Sequence, residues 1–370
     1  MSRKAASRGA LQLTHSLTDR INREVGQLLA ESGRARLNLM EVCGTHTMAI
    51  SESGIRQAVD PRLRLISGPG CPVCVTSQPD IDAAISLADL DGVAVVTFGD
   101  MLRVPGTRGS LEQARARGAD VRVVYSPADT VDMARAEPGR HFVFLGVGFE
   151  TTAPTVAAAV KLAASSRVEN LRVLAMFKLV PPALRYIASS ERVEIDGLIL
   201  PGHVSTIIGS GPYRFLADEF NMPCCVTGFE ATDILQGILV LLDQIRTGPD
   251  VAIQYRRVVR AEGNRAALRV MSEVFVPAVA EWRGVGEIPG SGLALAAAYR
   301  RFDAREKFRI KPTRTPRTAC RCGDVMLGVI VPPECPLFAG KCTPAYPVGP
   351  CMVSSEGACA AYYRYDRVHG

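Results

Sequence analysis

The sequence predicts an α/β protein in which two related lobes, each a parallel sheet covered by helices, lead into a cysteine-rich C-terminal region. Three observations carry this. Short apolar runs alternate with helix-like stretches from residue 37 to about residue 245. Several of those runs are unbroken Val, Ile and Leu, as expected of strands buried on both faces. A faint internal repeat also points to two lobes of one plan: GFETT at 148–152 returns as GFEAT at 228–232, and SGPGCPV at 67–73 has a weaker echo in LPGHVST at 200–206.

The first element is a helix over 17–31. Strands are expected over 37–42, 63–66, 93–98, 121–125, 142–147, 173–177, 197–200 and 224–227, with helices over 81–90, 155–164 and 233–246 between them. From about residue 251 the pattern changes to helical segments over 264–276 and 292–308, then to a Pro- and Cys-rich tail from 312. The expected domain plan is an N-terminal helix region, 1–36, packing with the C-terminal region; a first α/β domain, 37–140; a second, 141–250; and a C-terminal domain, 251–370.

Composition narrows the function. At 370 residues, 47% apolar and 22% charged, the chain is an ordinary globular protein of two or three domains. Its net charge of +6 is spread along the chain. No basic stripe interleaved with aromatics suggests a nucleic-acid partner. The densest basic stretch, RIKPTRTPR at 309–317, is broken by two prolines and reads as a solvated linker. The N-terminus lacks a signal-peptide core, and no run reaches the roughly 18 apolar residues of a spanning helix. The nearest, 234–245, carries Gln236 and Asp243. A soluble, cytoplasmic protein is therefore expected, with no membrane partner. In that reducing setting the eleven cysteines read as metal ligands or redox thiols rather than disulfide staples.

Six glycine-bearing loops each follow a predicted strand: CGTHT (43–47), GPGCPVC (68–74), FGDMLRVPG (98–106), GFETTAP (148–154), PGHVS (201–205) and GFEATD (228–233). Ligands of parallel α/β sheets bind beyond the carboxyl ends of the strands, so these loops are expected to converge on one crevice. Within them, Cys71 and Cys74 form a C-x-x-C ahead of a helix, a spacing that suits a metal or a disulfide and a position that favours thiolates. Cys43 lies in the first loop with His46 three residues on. A zinc site of Cys43, His46, Cys71 and Cys74, a thioredoxin-like dithiol and a soft thiolate site for iron all fit this spacing. His203, Glu150, Glu230 and Asp100 are candidates to line the crevice. For each the competing reading is a local cap or a buried, satisfied side chain.

The tail holds Cys320, Cys322, Cys335, Cys342, Cys351 and Cys359, spaced C-x-C-x12-C-x6-C-x8-C-x7-C. Paired zinc knuckles are absent, and four thiolates from separated loops are a normal cage for a [4Fe–4S] cluster, so the tail reads as an iron–sulfur region ahead of a zinc site. Cys224 and Cys225, adjacent in an apolar strand, read as core residues.

Taken in order, CGTHT, GPGCPVC, FGDMLRVPG, GFETTAP, PGHVS and CRCGDVMLG…CPLF…CTP…PVGPCMVSSEGACAAYYRY resemble the HypD family from about residue 37 to residue 365. The resemblance implies a scaffold for nickel–iron hydrogenase maturation, with two related α/β lobes and a C-terminal [4Fe–4S] region. Such a protein holds a mononuclear iron with a small HypC-like chaperone while cyanide and carbon monoxide are added to form Fe(CN)2CO. A HypE-like partner delivers cyanide as a thiocyanate on its own cysteine. By motif, Cys43, Cys71 and Cys74 match the iron-site cysteines, with Cys71 and Cys74 also a redox dithiol. Cys322, Cys335, Cys342 and Cys359 match the cluster set, with Cys320 and Cys351 as substitutes. This describes an assembly scaffold with a redox step rather than a free-standing turnover enzyme. Two rivals remain: a free-standing iron–sulfur disulfide reductase, and a zinc-stapled binding protein.

Overall fold

The structure, a computed structural model, describes residues 3–310 and 319–366, the side chains of residues 3–8 and 10 excepted. Most of the expected linker at 309–317 lies outside the described residues. The strands are β1 (Leu37–Glu41), β2 (Leu63–Ser67), β3 (Val93–Thr97), β4 (Asp120–Val123), β5 (His141–Gly146), β6 (Leu171–Ala175), β7 (Gly197–Pro201), β8 (Cys224–Thr227), β9 (Val251–Ile253), β10 (Phe275–Trp282) and β11 (Gly286–Leu295). The eight strands expected from apolar runs are all present, with ends within two residues of those read from the pattern. β1, β3 and β7 are buried along their whole length, which is why they read as continuous apolar runs.

Two parallel sheets form the body: a five-stranded sheet in the order β2-β1-β7-β8-β9 and a four-stranded sheet in the order β4-β3-β5-β6. Counted within its own sheet, the first order is 2-1-3-4-5 and the second is 2-1-3-4. The two lobes therefore share one doubly wound plan, as the GFETT/GFEAT repeat implies. Each has a switch point where the strand order reverses, between β1 and β7 in one sheet and between β3 and β5 in the other.

The lobes are not consecutive in sequence. β3 to β6 form the whole four-stranded sheet, and they enter the chain between β2 and β7 of the other. The boundary expected at 140/141 is thus corrected: it cuts through the inserted lobe, because strand pairing rather than chain order defines a sheet. β9, in the segment assigned to the C-terminal domain, completes the five-stranded sheet. The N-terminal helix, Arg3–Ser32, buries Ile21, Val25, Leu28 and Leu29 in a core shared with Leu37, Leu39, Ile234 and Ile238. Its main partner is the helix Ala231–Thr247 on the five-stranded sheet, which corrects the expected packing with the C-terminal region.

The expected helix over 292–308 is corrected. Instead β10 and β11 form an antiparallel hairpin, followed by a 3-10 turn over Ala297–Phe302 and a short helix, Ala304–Phe308. Tertiary pairing overrides propensity here. Leu179 N–H donates to Ser291 O at 2.8 Å, and Gly292 packs so tightly that a Cβ would lie 2.6 Å from Ala280 Cβ. The tail beyond residue 319 is made of one-turn helices and 3-10 turns that pack on the strand-end loops. No described helix is long and apolar enough to cross a membrane.

Candidate functional site

Four of the six loops leave four consecutive strands of the five-stranded sheet. GPGCPVC follows β2, CGTHT follows β1, PGHVS follows β7 and GFEATD follows β8. Parallel register puts all four at one edge, with the CGTHT and PGHVS loops flanking the switch point. The first two are stitched together by backbone: Gly68 N–H donates to Glu41 O at 2.7 Å and Gly44 N–H to Gly70 O at 2.9 Å. Gly70 is needed for this, since a Cβ there would stand 2.3 Å from Cys43 N. Cys43 caps the helix Gly44–Glu52, and Cys71 caps the single turn Pro72–Val75. Cys71 and Cys74 form a disulfide, and the Cys74 N–H donates to Cys71 Sγ at 3.2 Å. One helical turn has little dipole, so this N–H does more for a thiolate there than the helix end.

A buried carboxylate outside the motifs sits beneath Cys43. Glu41 is fully buried; it accepts from Thr47 Oγ1 at 2.5 Å and from Cys43 N–H at 3.2 Å. Burial pushes its carboxyl up to about 7, against the lowering effect of those bonds, of Ser67 and of Arg56. A lone Glu at the end of an apolar strand, two residues before a motif cysteine, was the readable signal. Burial also pushes the Cys43 thiol up to about 12, with the charges of Glu356 and Glu41 adding to it. Without a cation beside it, Cys43 is therefore a thiol.

His46 is fully buried. Its Nε2–H faces Gly228 O and Thr227 Oγ1, both at 2.9 Å, while Nδ1 is buried without a partner. Burial lowers its ring to about 4. His46 and His203 both stack on Phe229, at centroid distances of 4.7 and 3.9 Å. Among the described residues no three of His, Cys, Asp and Glu stand close enough together to hold a metal ion. The Cys71–Cys74 bond occupies two of the cysteine sulfurs of this loop.

The remaining predicted residues separate. Glu230 is exposed and caps the helix Ala231–Thr247 in a box with Asp233, the local role weighed against a site role. Its repeat partner Glu150 is buried; Oε1 accepts from Val180 N–H at 2.9 Å, Oε2 has no partner, and burial raises the carboxyl to about 7. Asp100 is exposed and shares a crevice with Arg103 and the tail residues Ser354 and Tyr363. Cys224 and Cys225 are wholly buried core residues of β8. The two lobes meet in one apolar core that contains Cys71, Cys74, Phe149, Val204, Tyr213, Cys322 and Cys351.

The tail builds a second site. Cys320, Cys322, Cys335, Cys342, Cys351 and Cys359 all line one pocket, the four matched cysteines and the two substitutes alike. Two glycines shape it. A Cβ on Gly349 would lie 2.6 Å from Cys320 Sγ, and one on Gly357 would lie 2.1 Å from Cys351 O. Val348 N–H donates to Cys342 Sγ at 3.3 Å. The Cys320 thiol is pushed up by its bond with Cys322 and then by burial; Cys351 and Cys359 are pushed up by burial and by neighbouring sulfurs.

The two sites adjoin. The 3-10 turn Pro350–Met352 packs on the Pro72–Val75 turn, and the helix Ala358–Ala361 packs on Gly44–Glu52. Glu356 Oε1 accepts from Thr45 Oγ1 at 2.8 Å, and a Cβ on Gly44 would lie 2.5 Å from Glu356 Cβ. Asp366 accepts from Ser51 at 2.7 Å and from Arg56 and Gln57 at 2.9 Å, while Arg56 also lies over the Tyr362 ring. The tail is thus clamped onto the helix that follows Cys43.

Residues 12–366 match the HypD family, described as "Hydrogenase formation hypA family". The hydrogenase maturation factor HypD of Rhodobacter capsulatus is 45% identical, with 89% of each chain covered. That of Escherichia coli is 44% identical, with 93% of each covered. That of Cupriavidus necator is 43% identical, with 93% of this chain and 95% of the relative covered. Similarity of this extent, over the loops and the tail whose geometry is given above, means that the chain belongs to the HypD family.

Proposed function

We propose that this chain is a hydrogenase maturation factor, on which an iron receives the cyanide and carbon monoxide ligands of an Fe(CN)2CO unit. The observation that carries the reading is the juxtaposition of the Cys43 and Cys71–Cys74 loops with a pocket lined by six tail thiols. Iron is the cargo here, and soft thiolates from Cys43 and the reduced Cys71/Cys74 pair suit it. These ligands come from two loops only, so coordination positions stay open for a cysteine of a HypC-like chaperone and for the arriving diatomic ligands.

Delivery of cyanide from a HypE-like thiocyanate is reductive. The S–C bond breaks, the carbon leaves as cyanide for the iron, and the carrier sulfur takes a proton and becomes a thiol. When the Cys71/Cys74 pair is a free dithiol rather than an iron ligand, its oxidation to the disulfide supplies two electrons and two protons, of which the carrier sulfur takes one and the other is released. The tail pocket suits a [4Fe–4S] group by its donor chemistry: six cysteine sulfurs line it, with otherwise apolar side chains and a glycine between them. Cys322, Cys335, Cys342 and Cys359 are the proposed ligands. When bound, such a cluster supplies single electrons, which suits regeneration of the adjoining dithiol.

The test is infrared spectroscopy of anaerobically purified full-length protein co-expressed with a HypC-like chaperone and a HypE-like donor. Cyanide and carbonyl stretching bands are expected in wild type and absent in Cys43→Ala. Cluster-dependent disulfide turnover without those bands would replace this reading with a free-standing disulfide reductase.

A further inference from the structure

The tip of the β10–β11 hairpin lies between the two cysteine sites and holds a charge that none of the roles above uses. On one side, Arg283 N–H donates to Val75 O at 3.0 Å and Trp282 bridges Thr76, so the tip is tied to the end of the Cys71–Cys74 turn. On the other side, Gly284, at φ +70°, sits so close to the tail that a Cβ would lie 2.7 Å from Gly323 Cα and 3.8 Å from Cys322 Sγ. Trp282 anchors the base of the tip. It is buried, and its Nε1–H donates to Ser291 Oγ at 2.8 Å.

The Arg283 side chain is only 8% exposed. Its Nη2 donates to Gln78 Oε1 and, at 3.4 Å, to Pro105 O, both neutral acceptors. Nη1 is buried with no partner at all. Among the described residues no carboxylate pairs with this guanidinium. A buried cation without an anion is strongly unfavourable, so a fold that keeps one in place has a use for its charge. Gln78 in turn donates to the buried Asp82 carboxylate at 3.3 Å, so that anion is reached only through an amide. On the other side the tail thiols adjoin the tip, with Gly284 against Cys322, and the guanidinium charge acts to lower the Cys320 and Cys351 thiols.

We infer that Arg283 is the built-in counter-charge for an anionic iron–thiolate cluster in the tail pocket. This rests on the cluster reading proposed above. A [4Fe–4S] core with four thiolates is net negative, and each electron it accepts adds to that charge. A fixed buried cation close by favours cluster retention, and favours the reduced form more than the oxidised one. Arg283 is thus a positioning and tuning residue, acting through charge rather than by touching the cargo.

The test uses full-length wild type, Arg283→Met and Arg283→Lys, purified anaerobically and reconstituted with iron and sulfide. With Met, the cluster is expected to be about tenfold harder to reduce, a midpoint about 59 mV more negative for a one-electron couple. A chelator should strip its iron several-fold faster, while the metal-free Met variant withstands urea at least as well as wild type. Lys should restore most of the potential. Should Met bind no cluster while Lys does, the need for charge is equally established. Equal potentials and stripping rates in wild type and Met, or cluster loss in both variants alike, would overturn the inference. A wild-type chain that takes up no cluster would instead strike the underlying reading and this inference together.

Discussion

The two cysteine sites lie against each other yet are built in opposite ways. Around Cys43 and Cys71–Cys74, the cysteines sit at the ends of hydrogen-bonded parallel strands, and glycine backbones lock one loop to the next. In the tail, the six cysteines line one pocket from one-turn helices, 3-10 turns and the loops between them, with no named strand beneath them. Sheet register holds the first site in place whether or not a ligand is present. The second site has little but its own packing and whatever its thiols bind, so ligand binding there contributes folding free energy directly.

The largest expected difference is in what each site loses when a cysteine is removed. Cys335→Ala or Cys342→Ala should abolish the brown cluster absorbance and make residues 319–366 susceptible to protease, whereas Cys43→Ala should keep both. Iron and sulfide analysis with limited proteolysis checks this, and a Cys335→Ala chain retaining four irons and four sulfides would break the contrast.

Next come the glycines. Gly70→Ala drives a Cβ into the Cys43 backbone and should cost about 4 kcal/mol, whereas Gly349→Ala meets the movable Cys320 sulfur and should cost about 1 kcal/mol. Urea denaturation of the metal-free proteins measures both, and equal losses would mean that the tail is as rigid as the sheet edge.

A pH-dependent effect sharpens the picture of the sheet edges. Glu150 is held protonated to about pH 7, so the native state keeps a proton that the unfolded chain has released above about 4.5. Its contribution is therefore fully present below pH 4.5 and is lost as pH rises through 7. Glu41 acts in the same sense, and His46, lowered to about 4, acts in the opposite sense below 6.5. Glu150→Gln removes only the first of these. Relative to wild type it should gain stability between pH 5 and pH 8, by up to about 3 kcal/mol, in urea titrations across that range. A difference that does not change with pH would show that the Glu150 carboxyl is solvated.

What the sequence by itself determined is local: eight strands, the loops that end them, and the cysteine spacing. A buried strand announces itself in consecutive Val, Ile and Leu, and a strand-end loop in its glycines, because both depend on near neighbours in the chain. Four of those loops do stand side by side, and all six tail cysteines do share one pocket. Tertiary structure alone decided which strands pair, and no local pattern in the sequence marks the insertion of β3 to β6 between β2 and β7. It also decided that residues 292–295 end a hairpin strand, that the N-terminal helix packs on the five-stranded sheet, and that Glu230 merely caps a helix while Glu150 is buried. Glu356 and Arg283 acquire their contacts only from neighbours far along the chain. Arg283 and Cys322 are brought together by the close approach of Gly284 to Gly323, and no periodicity encodes that contact, because it depends on how finished elements stack.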